Sequence, residues 1–190
     1  MGWSLALIAM LASGPAMSPP PERGLAAPIL AIHNRERTRV GVPPLAWSER
    51  LAGEAAAYAP ALVAMGGLEH SDYETRSGTG ENLAMGTRGH YSPADLTELW
   101  ADERSGFPGG VYPDVDEDDW SDIGHYTQMI WSGTTHVGCA TATSGRDLYL
   151  VCRYAPVGNV IGEYVIGPEE PLPPAGSPPV AVSALLLAAD

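Results

Sequence analysis

Gly124-His125-Tyr126-Thr127-Gln128-Met129-Ile130-Trp131, running on through His136-Val137-Gly138-Cys139-Ala140, is the stretch on which the reading of this chain turns. Tyr126, Met129 and Ile130 recur at i, i+3, i+4, the spacing of one face of an α-helix. His125 precedes Met129 by four residues and so lies at the edge of that face rather than opposite it. Gly133 is placed to end the helix, and the Thr- and Val-rich run Thr134 to Thr143 reads as a strand, paired from His136 on. A second strand reads from Leu148 to Tyr154. Between the two, Gly145-Arg146 suits a two-residue type II′ turn, which wants glycine first. Counting outward from that turn sets Cys139 opposite Cys152 at a non-hydrogen-bonded position, where antiparallel chains approach most closely. That register is compatible with a disulfide; the alternative is two free core thiols, and a turn longer by one residue removes the argument. Closing a loop of this size stabilises by about 3 kcal/mol in the chain-entropy description.

The rest of the composition narrows the field. A chain of 190 residues with 45% hydrophobic content holds one ordinary domain with a sizeable core. The net charge is -13, and all ten basic residues are arginine. Such a surface repels phosphate backbones and anionic headgroups, which excludes nucleic acid and polybasic membrane docking as partners. No apolar run reaches the roughly 18 residues of a transmembrane helix. Two cysteines are too few for a disulfide framework but suit one bridge, and a bridge favours an oxidising compartment.

Leu5 to Ala12 is an apolar run followed by small residues around Gly14-Pro15-Ala16, the layout of a signal peptide over residues 1–18, although its usual positive start is missing. A first helix is expected over Pro28 to Val40, with Ile29 and Ile32 inward and Arg35, Arg37 and Arg39 solvated. Ser48 can cap a second helix striped by Leu51, Ala55, Tyr58, Ala59 and Leu62, with a kink or break at Pro60 and a stop at Gly66-Gly67. Ser92-Pro93-Ala94-Asp95 is a helix start with serine at the cap, proline at the first position and a carboxylate at the third. The helix it opens sets Leu96, Leu99 and Trp100 on one face. Glu103 falls on that face too, where a carboxylate must be paired, unless the helix ends early and leaves it wet. Asp114, Asp116 and Asp118 alternate like the start of an EF-hand, but Asp119 and His125 stand where that loop needs Gly and Glu, so a solvated acidic loop is expected. Beyond Gly167 the prolines at 168, 171, 173-174 and 178-179 read as an extended tail.

No local catalytic motif is present, and each of the five histidines taken singly reads as structural or solvated. Gly124 to Trp131, however, resembles the main signature of the CAP superfamily, which unites cysteine-rich secretory proteins, insect venom allergens and plant pathogenesis-related proteins. Leu150-Val151-Cys152-Arg153-Tyr154-Ala155-Pro156-Val157-Gly158-Asn159-Val160 resembles that family's second signature. His33-Asn34, Leu45-Ala46-Trp47 and Tyr58-Ala59 are similar to its N-terminal helices. The resemblance spans residues 26–167, between the signal peptide and a proline-rich tail at 168–190.

The resemblance implies an α+β fold, a three-layer α-β-α sandwich around a small, mainly antiparallel sheet with the hairpin of residues 136–154 at its centre. It also implies a central cavity lined by two histidines and two glutamates. By motif these are His70 in Glu69-His70-Ser71, Glu81 in Gly80-Glu81-Asn82, Glu103 after Trp100-Ala101-Asp102, and His125 in Gly124-His125-Tyr126, with Gln128 as a buried hydrogen-bonding support. Two imidazoles and two carboxylates suit Zn2+ or another divalent cation; the alternative is a hydrogen-bonded network that ties helices together. Ser71 beside His70 is not expected to act as a nucleophile, because neighbours on a strand point to opposite faces. Two classes of function follow from the resemblance. One is a non-enzymatic extracellular or periplasmic module that binds a small apolar ligand such as a lipid or sterol, or a protein partner. The other is a metal-assisted hydrolase using the four residues. The chain departs from many relatives in having two cysteines and no appended cysteine-rich domain.

Overall fold

The structure is a computed structural model that describes residues 24–76, 78–112 and 122–167. The signal-peptide stretch 1–18, the acidic run 114–119 and the tail 168–190 lie outside the described residues.

Helix α1 spans Ala26–Arg39. Its inward stripe holds Ile29 and Ile32 as expected, but also His33, Glu36 and Arg37, all buried. The expectation that Arg37 is solvated is therefore corrected: it is 1% exposed. Its guanidinium is satisfied by backbone carbonyls, donating to Pro43 (2.5 Å), Met129 (3.1 Å), Trp131 (2.8 Å) and Thr134 (2.9 Å). A buried cation is tolerated when most of its donors are used in this way, here four of the five.

The two-residue strand β1, Ala46–Trp47, leads into helix α2, Glu49–Met65. Ser48 caps α2 by accepting from the Leu51 N–H, and Gly66 closes it in the left-handed conformation. Helix α2 runs through Pro60 without a break, contrary to one of the two expectations for that residue. Ala55, Ala59 and Leu62 on either side are buried against the sheet and hold both halves in one helix. Strand β2, Gly80–Thr87, precedes helix α3, Pro93–Asp102. The capping box of α3 forms as its sequence dictates, Ser92 accepting from Asp95 N and Asp95 accepting from Ser92 N. Leu96 and Trp100 are buried, but Leu99 is 47% exposed and leaves the expected face. The step of 300° from Leu96 to Leu99 carries it to the flank of the stripe, while Trp100, one full turn on from Leu96, stays inside.

A 3-10 turn at Glu103–Gly106, the short strand β3 (Val111–Tyr112) and helix α4 (Gly124–Ile130) follow. Strands β4, His136–Thr143, and β5, Asp147–Ala155, form the hairpin, and β6, Glu163–Tyr164, pairs with β3. Main-sheet order is β1-β4-β5-β2, antiparallel except for β1 against β4. The hairpin register is the one counted from the turn, with Cys139 opposite Cys152 and a disulfide joining them.

Alternation along the strands sorts the core into two layers. Tyr149 and Val151 of β5, with Ala140 and Leu83, meet α2. Leu148, Leu150, Cys152 and Tyr154 face the other way, into the larger core shared with α1, α3 and α4. The result is the expected three-layer α-β-α sandwich. Gly138 lets α2 settle on the sheet, because a Cβ there would stand 2.3 Å from Ala52 N and 2.4 Å from Ser48 O.

Candidate functional site

The start of β2 positions the candidate site. β2 is an edge strand, so its residues reach both layers and one side stays open. Glu81 lies opposite Arg153 of β5, and Asn82 lies opposite Cys152. Successive side chains point to opposite faces, so Glu81 goes to the α2 layer and Asn82 to the α4 layer.

On the α2 layer the Glu81 side chain is fully buried and fully used. It accepts from His70 Nδ1 (2.8 Å), Ser71 N (2.9 Å) and Ser71 Oγ (3.0 Å), and pairs with the Arg153 guanidinium at 3.0 Å. Burial works to raise its pKa, but these donors outweigh it and hold Glu81 below the usual carboxylate value. His70 and Ser71 lie in a loop, not a strand, and both reach Glu81; the expectation that they point apart is corrected. The Ser71 hydroxyl donates to Glu81 and accepts from Arg153 (2.9 Å), which ties it into the network rather than to a base.

On the α4 layer Glu103 is neither stranded in the core nor wet. Helix α3 ends one residue earlier, and the Glu103 carboxylate turns toward the start of α4. There it accepts from His125 N (3.0 Å), Tyr126 N (3.0 Å) and His125 Nδ1 (2.6 Å). α4 has no side-chain cap of its own, so Glu103 satisfies its first free N–H groups from a neighbouring element. The Trp100 ring stacks on His125, with centroids 5.8 Å apart and planes 18° apart.

Behind this pair runs a buried relay. Asn82 Nδ2 donates to the His125 carbonyl and to the Tyr154 hydroxyl, each at 3.1 Å. The Tyr154 hydroxyl donates to His33 Nε2 (2.8 Å), and His33 Nδ1 donates to the Ile29 carbonyl (2.8 Å). A carbonyl can only accept, which fixes the His33 tautomer. Burial pulls His33 down to about 4, so the ring is neutral. Gln128 is buried as expected; its side chain accepts from Gly158 N (3.1 Å) and donates to Thr134 Oγ1 (3.2 Å), joining α4 to the loops on either side of the hairpin.

The four residues singled out by motif thus meet as two histidine–glutamate pairs, one on each layer of the sheet. In each pair the histidine donates through Nδ1, and the side chains of His70 and His125 are 55% and 31% exposed. Among the described residues no three His, Cys, Asp or Glu side chains gather into a cluster able to hold a metal ion. Arg153, Asn82 and Trp100 build the site and were not singled out from the sequence. Only Arg153 left a trace there, as a charge inside an otherwise apolar strand.

Residues 30–154 match the family described as the cysteine-rich secretory protein family, CAP. Pathogenesis-related protein 1B of Nicotiana tabacum is 38% identical over 138 residues, covering 70% of this chain and 76% of the tobacco protein. A probable pathogenesis-related protein of Arthroderma benhamiae is 34% identical over 159 residues, 79% of this chain and 49% of the fungal one. Among solved structures, that of NaASP2 with Zn2+ superposes with a TM-score of 0.66 at 24% identity, covering 80% of this chain and 92% of that one. At that identity the likeness speaks for the fold.

Proposed function

The chain belongs to the cysteine-rich secretory protein (CAP) family, and from that premise we propose that it is an extracellular or periplasmic, non-enzymatic binding module whose site is the two histidine–glutamate pairs at the start of β2. In this reading residues 26–167 form the binding domain, residues 1–18 direct export, and residues 168–190 are an appended tail. Its ligands are lipids, sterols or protein partners, with a divalent cation as an accessory.

The observation that carries the reading is the use of Nδ1 by both histidines. Glu81 and Glu103 each take one Nδ1–H, which orients the ring and leaves Nε2 as the atom able to bind a metal. That donor chemistry fits a cation at the free Nε2 of one imidazole, His70 or His125, with its carboxylate behind the ring. It fits a four-ligand site less well, because both carboxylates are already spent on N–H and O–H donors. When bound, the cation would supply a positive point for an anionic or carbonyl ligand group. The alternative, a metal-assisted hydrolase using the same four residues, has less support, since both carboxylates are spent on N–H and O–H donors and neither is left free to act as a base.

Calorimetric titration of zinc into metal-free protein, beside a His70→Ala, His125→Ala double variant, tests the metal half of the proposal. Saturable binding that the variant loses supports it; equal binding in both reduces the pairs to a structural network. Uptake of a fluorescent sterol or fatty acid that persists after chelation tests the ligand half, and no uptake under any metal condition removes it.

A further inference from the structure

A concavity lies on the α2 layer beside the Glu81 network and shares Ser71 and Arg153 with it. It is a cleft of 320 Å³ between α2, the loop of residues 71–76 and β5. Tyr58 and Glu54 of α2, Ser71, Thr75 and Arg76 of the loop, and Arg153 of β5 line it.

Two features of this lining are unexplained by the fold. The Nε of Arg153 and the Nε of Arg76 are both buried, and neither has a hydrogen-bond acceptor. Buried guanidinium N–H groups are costly to leave unmade, and each such orphan calls for an occupant. Arg153 itself is only 5% exposed, so its free N–H is not answered by bulk solvent.

The second feature is charge. Glu81 offsets Arg153. Glu54 is drawn off by Arg50, its ion-pair partner one helical turn away. Arg76 has no ion-pair partner among the described residues; its guanidinium lies 5.4 Å from the Tyr73 ring centroid. Burial first, and then the positive charge of Arg76, press Arg153 below the usual arginine value against the pull of Glu81. A chain of net charge -13 therefore keeps one uncompensated cation and two orphan donors in a single cleft.

We propose that this cleft binds a small organic carboxylate, whose oxygens accept from Arg76 and Arg153 while its apolar part rests against Tyr58. A monoanion matches the single uncompensated charge. A phosphate dianion carries twice the charge that the one uncompensated cation answers. The volume is at the lower end of ligand pockets, roughly 300 Å³ upward, which suits a ligand of benzoate size. The tyrosine ring offers a face to a planar apolar group, and Arg153 already lies 5.6 Å from its centroid. This proposal stands apart from the zinc reading and does not require a metal.

Benzoate, with acetate and inorganic phosphate beside it, is titrated into the full chain and followed by amide NMR shifts. Saturable benzoate binding, with shifts at residues 54–58 and 71–76 and affinity above that of acetate, is the expected result. Arg76→Gln, which leaves the Glu81 network untouched, is expected to weaken benzoate at least ten-fold and to leave zinc binding as it was. Should that variant fail to fold, Tyr58→Ala serves in its place with the same expected loss. No saturation, equal affinity in the variant, or tighter binding of phosphate than of benzoate overturns the proposal. Unchanged shifts throughout would mean that water alone satisfies the two donors.

Discussion

His33 shows how one side chain can set the acid limit of a fold. Unfolded, its imidazole takes up a proton near the ordinary value of 6.5; folded, it does so only near about 4, because burial excludes the charged form. Between those values the unfolded state binds more protons, so stability is fully present above 6.5 and is lost as pH falls toward 4. The expected loss is on the order of 3 kcal/mol for a shift of this size. Glu81 adds a further loss only at lower pH, below its ordinary carboxylate range, because its folded pKa is depressed. In His33→Phe the decline in urea-unfolding free energy between pH 6.5 and 4 should nearly vanish, whatever the variant costs at neutral pH. A slope equal to that of the parent chain would refute this account. Arg37 sits on the same helix face and carries a different burden. Arg37→Met would leave the carbonyls of Pro43, Met129, Trp131 and Thr134 without a donor. The expected cost is roughly 4 kcal/mol, read as a shift in urea midpoint. Ile29, Ile32, His33, Glu36 and Arg37 form one stripe at helical spacing, so the burial of the polar three was open to inspection in the sequence. The alternation of Arg35, Arg37 and Arg39 masks that position, because only the middle one of the three is buried.

Elements were legible where their signals were local. The capping box of α3, the serine and glycine caps of α2 and the register of the hairpin depend on residues within one turn of each other and form as the sequence implies, but the turn itself is not the expected type II′, because Gly145 does not take the positive φ that type requires. The span of α2 through Pro60 was not legible, because the sheet it packs on decides it. The contact of α2 with β4 is the tightest such dependence. Gly138→Ala places a methyl group within 2.8 Å of backbone atoms of Ser48, Leu51 and Ala52, none of which can rotate away. It should destabilise by about 3 kcal/mol, the upper part of the overpacking range. Thermal unfolding measures this; a variant as stable as the parent would mean that α2 can ride outward without loss.

At the scale of the whole molecule, family and layer architecture followed from two separated motifs, whereas the site did not follow from spacing alone. Glu81 meets Arg153 only because β2 pairs with β5, and Glu103 meets His125 only because α3 ends beside the start of α4. Neither contact leaves a periodic trace in the sequence. The disulfide acts at this scale as well. Cys139 and Cys152 are 2% and 0% exposed, so a thiol reductant should reach the bridge only in the unfolded chain. Thiol counting during incubation with dithiothreitol, with and without urea, tests this: rapid reduction of the native protein would contradict it. Replacing both cysteines by alanine should lower stability by about 3 kcal/mol.

The order of the main sheet has a consequence for synthesis. β1 and β2 do not touch each other; they flank the hairpin of β4 and β5, which is encoded last. While a ribosome is still translating the first 135 residues, neither early strand has a partner to pair with, and α2 has no surface to lie on. Domains as a rule fold as units once their parts have emerged. A nascent chain of this protein thus stays pliable for most of its elongation and gains its sheet only when the final third appears. If the chain is exported as proposed, a translocation pore would be handed a thread rather than a folded body.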